Sequence, residues 1–193
     1  MGSLRVACLG WGSLLWDPRT LPMAEPFRAE GPKLPIEFSR VSSDGRVTLV
    51  IDPSAPAMQT YCVRMAVSDL DEAIGELGRR EKIAPERHRD WVGVQTRSQP
   101  ERTAGETADR ERGEIVRWLD SAPFDAVVWT ALPSRTPAGE LAVPALDSLI
   151  AHLESLEGAG LARAEEYIRR APANVKTPRR ERFEQVFGWT PVP

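Results

Sequence analysis

The stretch Leu9-Gly-Trp-Gly-Ser-Leu-Leu-Trp16 directly follows a short apolar segment, Val6 to Leu9, that is typical of a buried strand. Gly10 and Gly12 let the backbone turn tightly, because glycine adopts φ values that other residues avoid. Such a turn can direct several backbone N–H groups into one small pocket, where they bind a carboxylate or a developing oxyanion. The alternative is a simple turn at the end of a strand, without a ligand.

Further strand signals follow this turn. The dipeptide Asp44-Gly45 is a hairpin signal between two apolar, alternating segments. The predicted strands after the turn are Ile36 to Val41, Val47 to Ile51, Thr60 to Val67, Trp91 to Thr96 and Ala126 to Thr130. Residues 97–112 are polar and charged, which predicts a mobile loop.

Helical patterns occupy one central segment and the C-terminal part of the chain. Ser68 is the predicted N-cap of the central helix, with Asp71 as a shortened capping-box partner, and Pro85 ends it. The predicted C-terminal helices are Ala145 to Leu156, Leu161 to Arg170 and Thr177 to Phe187. Strands come first and helices dominate the end, so the predicted fold class is α+β.

Composition and charge restrict the class of protein. The net charge is −3 and the pI about 5.6, which argues against a general binder of nucleic acids or anionic membranes. No run of about 18 apolar residues occurs, so no membrane-spanning segment is expected. Cys8 and Cys62 lie in predicted strands, and we interpret them as buried free thiols of a cytoplasmic protein.

Several kinds of chemistry lack their sequence motifs. Gly10-x-Gly12 has no third glycine for a dinucleotide fingerprint, and the chain has no Walker motif. Ser13 is not in a Gly-x-Ser-x-Gly nucleophile elbow. The two histidines have no metal-ligand spacing, and nothing near Cys8 in sequence would activate it as a nucleophile. We therefore expect no metal site.

Glu81 is the most informative charged residue. Leu70, Ile74, Leu77 and Glu81 follow helical spacing, so the Glu81 carboxylate continues an apolar, core-facing stripe. Loss of hydration disfavours the charged form of a carboxyl group, a condition for accepting and returning a proton near neutral pH. The alternative is that Glu81 reaches solvent or pairs with a neighbouring cation, for which the candidates are Arg79, Lys82 and Arg87.

Three segments in this order resemble the γ-glutamylcyclotransferase-like superfamily. Gly10-Trp-Gly-Ser-Leu-Leu-Trp16 is similar to the Gly-Tyr-Gly-Ser-Leu-Ile-Trp loop of its glutathione-degrading branch. Phe38-Ser-Arg-Val41 with Gly45-Arg-Val-Thr-Leu-Val50 is similar to the hairpin that follows. Leu77-Gly-Arg-Arg-Glu-Lys82 resembles the Leu-x-x-Arg-Glu segment that holds the catalytic glutamate. The resemblance covers about the first 130 residues, and the helical tail lies outside it.

The resemblance implies a fold, an activity and a site. The expected fold is a small, mixed, partly closed β-sheet with packed helices in a catalytic domain of residues 1–135, extended by C-terminal helices (136–193) packed on the same domain. The expected activity is a lyase reaction that converts a γ-glutamyl group to 5-oxoproline, without metal or organic cofactor. Glu81 is then the catalytic general acid and base, and the substrate-binding residues are Trp11, Gly12, Ser13 and Leu14. Trp11 replaces the motif tyrosine and lacks its hydroxyl.

Two other functions stay open at this stage. One is a non-catalytic module on the same fold that binds a small carboxylate. The other is a transferase or amidohydrolase of γ-linked amides, in which water or another amine attacks. The expected partner is a small γ-glutamyl molecule, of which glutathione, a γ-glutamyl amino acid and a γ-glutamyl amine fit equally. Arg40 and Arg46 are candidates to neutralise its carboxylate; the sequence does not indicate an oligomeric state.

Overall fold

The computed structural model describes residues 4–98 and 109–192. The strands in this part are β1 (Val6–Gly10), β2 (Lys33–Val41), β3 (Val47–Ile51), β4 (Ala57–Gln59), β5 (Tyr61–Arg64), β6 (Val92–Thr96) and β7 (Ala126–Thr130). The helices are α1 (Leu70–Glu81), α2 (His88–Trp91), α3 (Asp109–Ser121), α4 (Leu146–Glu154), α5 (Gly158–Arg170) and α6 (Pro178–Phe187). None of these helices is long and apolar enough to cross a membrane.

The chain forms two compact units. Unit 1 consists of the segments Met1–Gly10, Asp17–Leu34 and Gln59–Leu132, and unit 2 of Trp11–Trp16, Pro35–Met58 and Pro133–Pro193. The C-terminal helices therefore belong to the same unit as the β2–β3 hairpin. The boundary after Gly10 coincides with the end of β1, so the glycine turn that follows β1 belongs to unit 2.

Unit 1 contains a mixed four-stranded sheet with the order β5-β1-β7-β6. Strand β1 pairs antiparallel with β5 and parallel with β7, and β6 pairs antiparallel with β7. All five residues of the central strand β1 are buried. Central strands of a covered sheet are apolar on both faces, which explains the unbroken apolar sequence of β1.

Helix α1 packs against β7 and β6 of this sheet. Its buried residues include Leu70 and Leu77 of the predicted apolar stripe and also Ala73, whereas Ile74 of that stripe is only half-buried. The predicted cap at Ser68 is wrong by one residue, because the Asp69 side chain accepts a hydrogen bond from the backbone N–H of Glu72. Glu72 in turn accepts hydrogen bonds from the N–H and hydroxyl of Ser68, so a reciprocal capping arrangement does form.

Unit 2 contains the sheet β3-β2-β4, with helix α5 packed on β3. The β2–β3 turn includes Gly45 at φ 85°, as expected of the Asp-Gly signal. Phe38 of β2 and Phe183 of α6 are both fully buried and stack edge to face, with ring centroids 5.8 Å apart. This aromatic pair joins the last helix to the hairpin.

The structure confirms the α+β class and the mixed pairing of the sheet that contains β1. The strands are distributed over two sheets, whereas we expected a single sheet from the sequence. Alternation of apolar residues indicates that a segment is a strand but does not identify its partner. The predicted loop is also partly wrong: residues 109–112 are the first turn of α3, and residues 99–108 lie outside the described part.

Candidate functional site

The glycine turn after β1 is a compact loop in unit 2. Its first turn is closed by a 3.0 Å hydrogen bond from the Leu15 N–H to the Gly12 carbonyl. Trp11, Gly12 and Leu14 are buried, and Ser13 is half-buried. The four predicted substrate-binding residues therefore lie together in one turn, while Glu81 belongs to unit 1.

The backbone N–H groups of this turn differ in their hydrogen bonding. Within the described part of the chain, no hydrogen bond uses the backbone N–H of Gly12 or of Leu14. A buried N–H group without an acceptor is costly and is therefore rare in folded proteins. The carboxylate or oxyanion site expected at this turn from its glycines stays a prediction.

The Trp11 side chain has a structural position. It is 6% exposed, and its indole Nε1–H donates a 3.3 Å hydrogen bond to the carbonyl of Leu49 on β3. The indole N–H is thus occupied by the protein itself. Trp11 therefore stabilises the conformation of the turn, and its indole N–H does not serve as a donor to a ligand.

Tyr167 on α5 also contacts this turn, and sequence reasoning missed it. Its hydroxyl oxygen accepts a 3.3 Å hydrogen bond from the backbone N–H of Leu49. A Cβ atom at Gly12 would overlap that hydroxyl, so Gly12 must be glycine for Tyr167 to occupy this place. Tyr167 follows two glutamates on a helix outside the resemblance, and no local pattern connects it with residue 12.

Glu81 is the last residue of α1, and its side chain is 18% exposed. The next residue, Lys82, adopts a left-handed conformation with φ 56° and terminates the helix. The carboxylate is therefore partly shielded, at the end of a helix that buries Leu70, Ala73 and Leu77 together with Arg80. It still has access to solvent.

The cation beside Glu81 is Arg80. Its Nη1 donates to Glu81 Oε1 at 2.7 Å, and its Nη2 donates to the Asp17 carbonyl at 2.6 Å. Arg80 is buried, and its own carbonyl accepts a 3.2 Å hydrogen bond from Arg19 Nη1. The guanidinium that binds the Glu81 carboxylate is thus itself held in place by a second hydrogen bond, to the Asp17 carbonyl.

This partner differs from the three candidates named from the sequence. Arg79 pairs with Glu76, and Arg87 pairs with Asp90 at 3.3 Å. Adjacent helical residues do not normally face each other, so the spacing gave no reason to pair positions 80 and 81. The Arg80 side chain is long enough to reach the Glu81 carboxylate, and its hydrogen bond to the Asp17 carbonyl holds it in that position.

Cys8 lies near this carboxylate but is not an activated nucleophile. It is fully buried, and burial raises the pKa of its thiol, with the negative charge of Glu81 acting in the same direction. A thiol held protonated is a poor nucleophile. Both Cys8 and Cys62 are buried free thiols, as predicted.

The two histidines bind backbone carbonyls. His88 Nε2 lies 3.1 Å from the Ile83 carbonyl, and His152 Nε2 lies 2.7 Å from the Gly45 carbonyl. Both histidines are half-buried. In residues 4–98 and 109–192, no group of three or more potential metal ligands occurs.

The two candidate arginines of unit 2 have different surroundings. Arg40 Nη1 donates to the Pro133 carbonyl at 2.6 Å, and burial lowers the pKa of its guanidinium. Arg46 is 27% exposed, pairs through Nε with Asp44 at 2.9 Å, and lies over the Tyr167 ring with its Cζ 5.4 Å from the centroid. Of the two arginines, Arg46 is therefore the one that contacts Tyr167, whose hydroxyl lies against Gly12.

No known family model matches the chain, and no curated protein is significantly similar to it.

Proposed function

We propose that the chain is a γ-glutamylcyclotransferase-type lyase of the γ-glutamylcyclotransferase-like superfamily. It releases 5-oxoproline from a γ-glutamyl compound, with Glu81 as general acid and base. The two buried free thiols are compatible with the cytoplasm, where we expect the protein to act.

The observation that carries the proposal is the environment of Glu81. A carboxylate that moves protons has to be ordered, shielded and still reachable by a substrate. Glu81 is held at 2.7 Å by a buried arginine and is 18% exposed. An arginine that is itself anchored on the Asp17 carbonyl holds the acceptor oxygen in place between turnovers.

The chemistry needs one proton carrier. Glu81 removes a proton from the α-ammonium group of the substrate, and the free amine nitrogen attacks the γ-carbonyl carbon. The new C–N bond closes a five-membered ring, and the carbonyl oxygen becomes an oxyanion. When this intermediate collapses, the bond to the leaving nitrogen breaks, and protonated Glu81 delivers its proton to that nitrogen. The ring nitrogen still carries one proton too many, which passes to the released amine. The products are therefore 5-oxoproline and the amine in its ammonium form, and Glu81 returns to its carboxylate state.

A protein nucleophile is unnecessary in this reaction. The attacking amine and the carbonyl belong to one molecule, and effective molarities for well-oriented intramolecular reactions can reach roughly 10⁵ M. Burial and the charge of Glu81 both raise the pKa of the Cys8 thiol, and the proposed reaction does not need that thiol as a nucleophile.

The glycine turn has the second role in the proposal. The backbone N–H groups of Gly12 and Leu14 are suited to hold the substrate carboxylate or the oxyanion. Such donors stabilise negative charge without a change in their own geometry. We assign Trp11 and Ser13 the role of stabilising this turn and lining the substrate-binding site.

The test is identification of the product. Purified protein is incubated with glutathione, γ-glutamyl amino acids and γ-glutamyl amines, and the mixture is analysed by chromatography for 5-oxoproline and glutamate. The matched control is each compound with its α-amine acetylated, which cannot cyclise. We expect 5-oxoproline from at least one free compound and none from its acetylated form. Glutamate from the free compound together with N-acetylglutamate from its acetylated form would show an amidohydrolase instead, and no product from any compound would contradict the proposal.

A further inference from the structure

A cavity of about 340 Å³ lies in unit 1 beside β5, the strand at one end of the four-stranded sheet. Small-molecule sites in proteins have volumes of about 300–1,000 Å³, so this cavity has room for a small ligand. Its wall combines the chain segment before β2, strand β5 and the end of α3. The aromatic and charged residues that line it are Glu25, Arg28, Glu30, Arg64, Trp118 and Phe124.

The chain segment before β2 bulges away from β5 at this cavity. The Ala24 N–H donates to the Arg64 carbonyl at 2.9 Å. The Arg28 N–H donates to the Cys62 carbonyl, also at 2.9 Å. Between these two contacts the segment has three residues, whereas β5 has one. The extra residues leave the strand edge, and the first of them, Glu25, lies beside the point where the segment binds Arg64.

Two aromatic rings form the apolar wall of the cavity. The ring centroids of Trp118, on α3, and Phe124 are 5.9 Å apart, and Phe124 is 8% exposed. The Trp118 Nε1–H donates a 2.7 Å hydrogen bond to the Glu30 carbonyl, and this contact holds the indole in place. Because the protein uses the indole N–H, the ring contributes apolar surface to the cavity. Such a wall is suited to an aromatic or large aliphatic group.

Charges of both signs lie at the same cavity. Arg64 and Glu25 are exposed, and in residues 4–98 and 109–192 neither side chain makes a hydrogen bond or an ion pair. Arg28 and Glu30 form only a loose pair, with an N–O distance of 3.9 Å and side chains that are 61% and 64% exposed. A guanidinium and a carboxylate of the protein can therefore both bind a ligand beside the aromatic wall.

The cavity is separate from the site proposed around Glu81. Cys62 lines the cavity and pairs with Leu9 of β1, whereas Cys8 is the residue before Leu9. Successive side chains of a strand point to opposite faces, so Cys62 and Cys8 lie on different faces of the sheet. Burial raises the pKa of both thiols; in addition, the charge of Glu81 acts on Cys8, and that of Glu30 acts on Cys62.

We propose that the cavity beside β5 binds a free α-amino acid with an aromatic or large aliphatic side chain. Arg64 pairs with the carboxylate of the ligand, and Glu25 accepts hydrogen bonds from its ammonium group. The side chain of the ligand packs on Trp118 and Phe124. A molecule with only one of the two charges satisfies only one of these protein groups. The inference does not depend on the proposed function, because no residue that lines the cavity has a role in that reaction.

The experiment is equilibrium dialysis of the protein against radiolabelled L-phenylalanine, for which we expect saturable binding to one site per chain. The competitors are phenylalanine amide, which has no carboxylate, N-acetylphenylalanine, which has no ammonium group, and alanine, which has no ring. Each should compete at least about fivefold less well than unlabelled phenylalanine, because each loses one of the three proposed contacts.

Two variants test the charged contacts separately. Arg64→Gln and Glu25→Gln should each raise the Kd for phenylalanine about fivefold, the order expected of an ion pair at a partly exposed position. Arg64→Gln should also abolish the preference for phenylalanine over its amide, and Glu25→Gln the preference over N-acetylphenylalanine. The matched control is Arg117→Gln, since Arg117 is a 65% exposed arginine of α3 that pairs with Glu114 and does not line the cavity. Its Kd should equal that of the wild type.

The outcomes decide the inference without reference to catalysis. A rise in Kd in both cavity variants but not in Arg117→Gln supports it. No saturable binding of phenylalanine to the wild type, or an unchanged Kd in either cavity variant, overturns it. An equal rise in Arg117→Gln also overturns it, because it would show a general effect of charge. Since none of these variants alters Glu81, this inference and the proposed function fail independently.

Discussion

The guanidinium of Arg80 and the carboxylate of Glu81 form an ion pair with an N–O distance of 2.7 Å, in which the arginine side chain is 3% and the glutamate 18% exposed. The two residues are adjacent in sequence, and the pair is held by a third contact, from Arg80 to the Asp17 carbonyl. The hydrogen bond to Asp17 distinguishes this pair from the Arg79–Glu76 pair of the same helix, in which the arginine side chain is 65% exposed.

Removal of Arg80 is expected to destabilise the protein. Arg80→Met leaves the Glu81 carboxylate without its counter-charge and the Asp17 carbonyl without its donor, at a cost of about 3 kcal/mol. The adjacent Arg79→Met is the control, because Arg79 is 65% exposed and its pair with Glu76 is worth less than about 1 kcal/mol. Urea unfolding of the two variants measures this difference. Equal losses would show that Arg80 does not anchor the helix end.

Gly12 and Tyr167 are expected to be energetically coupled. A methyl group at Gly12 overlaps the Tyr167 hydroxyl, so Gly12→Ala should cost about 1–3 kcal/mol by overpacking. In the Tyr167→Phe background the nearest ring atom is 3.5 Å from the added Cβ, an ordinary contact, so the same substitution should cost much less. A double-mutant cycle by thermal or urea unfolding measures the coupling. Additive effects would contradict the position of Tyr167.

Glu37 is expected to make stability depend on pH. Burial raises the pKa of this carboxyl, although hydrogen bonds from Thr177 and Phe38 partly oppose the shift. The folded state therefore binds the proton more tightly than the unfolded chain, whose glutamate pKa is about 4.3. The contribution of Glu37 is present below pH ~4.3 and is lost as the pH rises through the folded-state pKa.

Glu37→Gln isolates this contribution, because the amide oxygen can still accept from Phe38 and Thr177. We expect the stability of the variant relative to the wild type to increase as the pH rises above ~4.3. Urea unfolding at a series of pH values gives this difference. A difference that is constant or decreases with pH would contradict the assignment.

The cysteines are expected to be inert in the folded protein. Burial raises the pKa of Cys62 to about 11 and raises that of Cys8 further, so both remain thiols at pH 8. An aromatic disulfide reagent should label neither cysteine in the native protein and both in denaturant. Cys8→Ala should retain cyclisation activity, since the proposed reaction uses no thiol. Loss of activity in a folded Cys8→Ala protein would indicate covalent catalysis.

Local patterns predicted much of the secondary structure, because they depend on neighbouring residues. The apolar run of β1 and the Asp44-Gly45 turn both lie where the sequence placed them. The start of α1 was displaced by one residue because Ser68 and Asp69 are both good caps, and the choice depends on which side chain reaches the Glu72 N–H. The patterns did not predict helix α3 at all, because its first turn is polar and was assigned to a loop.

The contacts that define the candidate site are long-range and could not be read from such patterns. The parallel pairing of β1 with β7 joins opposite ends of unit 1. The position of Tyr167 against Gly12 depends on the packing of α5 on β3. The Arg80–Glu81 pair needs the carbonyl of Asp17, which is distant in sequence. In each case the sequence shows which residue types are present, but tertiary packing decides which of them are in contact.

The most direct test of the central claim is the rate of 5-oxoproline formation by Glu81→Gln beside Glu76→Gln. Both substitutions remove a carboxylate that is paired with an arginine on α1, but only Glu81 has the proposed proton-transfer role. The account predicts that Glu81→Gln lowers kcat by at least about 100-fold while remaining folded, and that Glu76→Gln keeps the wild-type rate. Cyclisation by folded Glu81→Gln at the wild-type rate would contradict it.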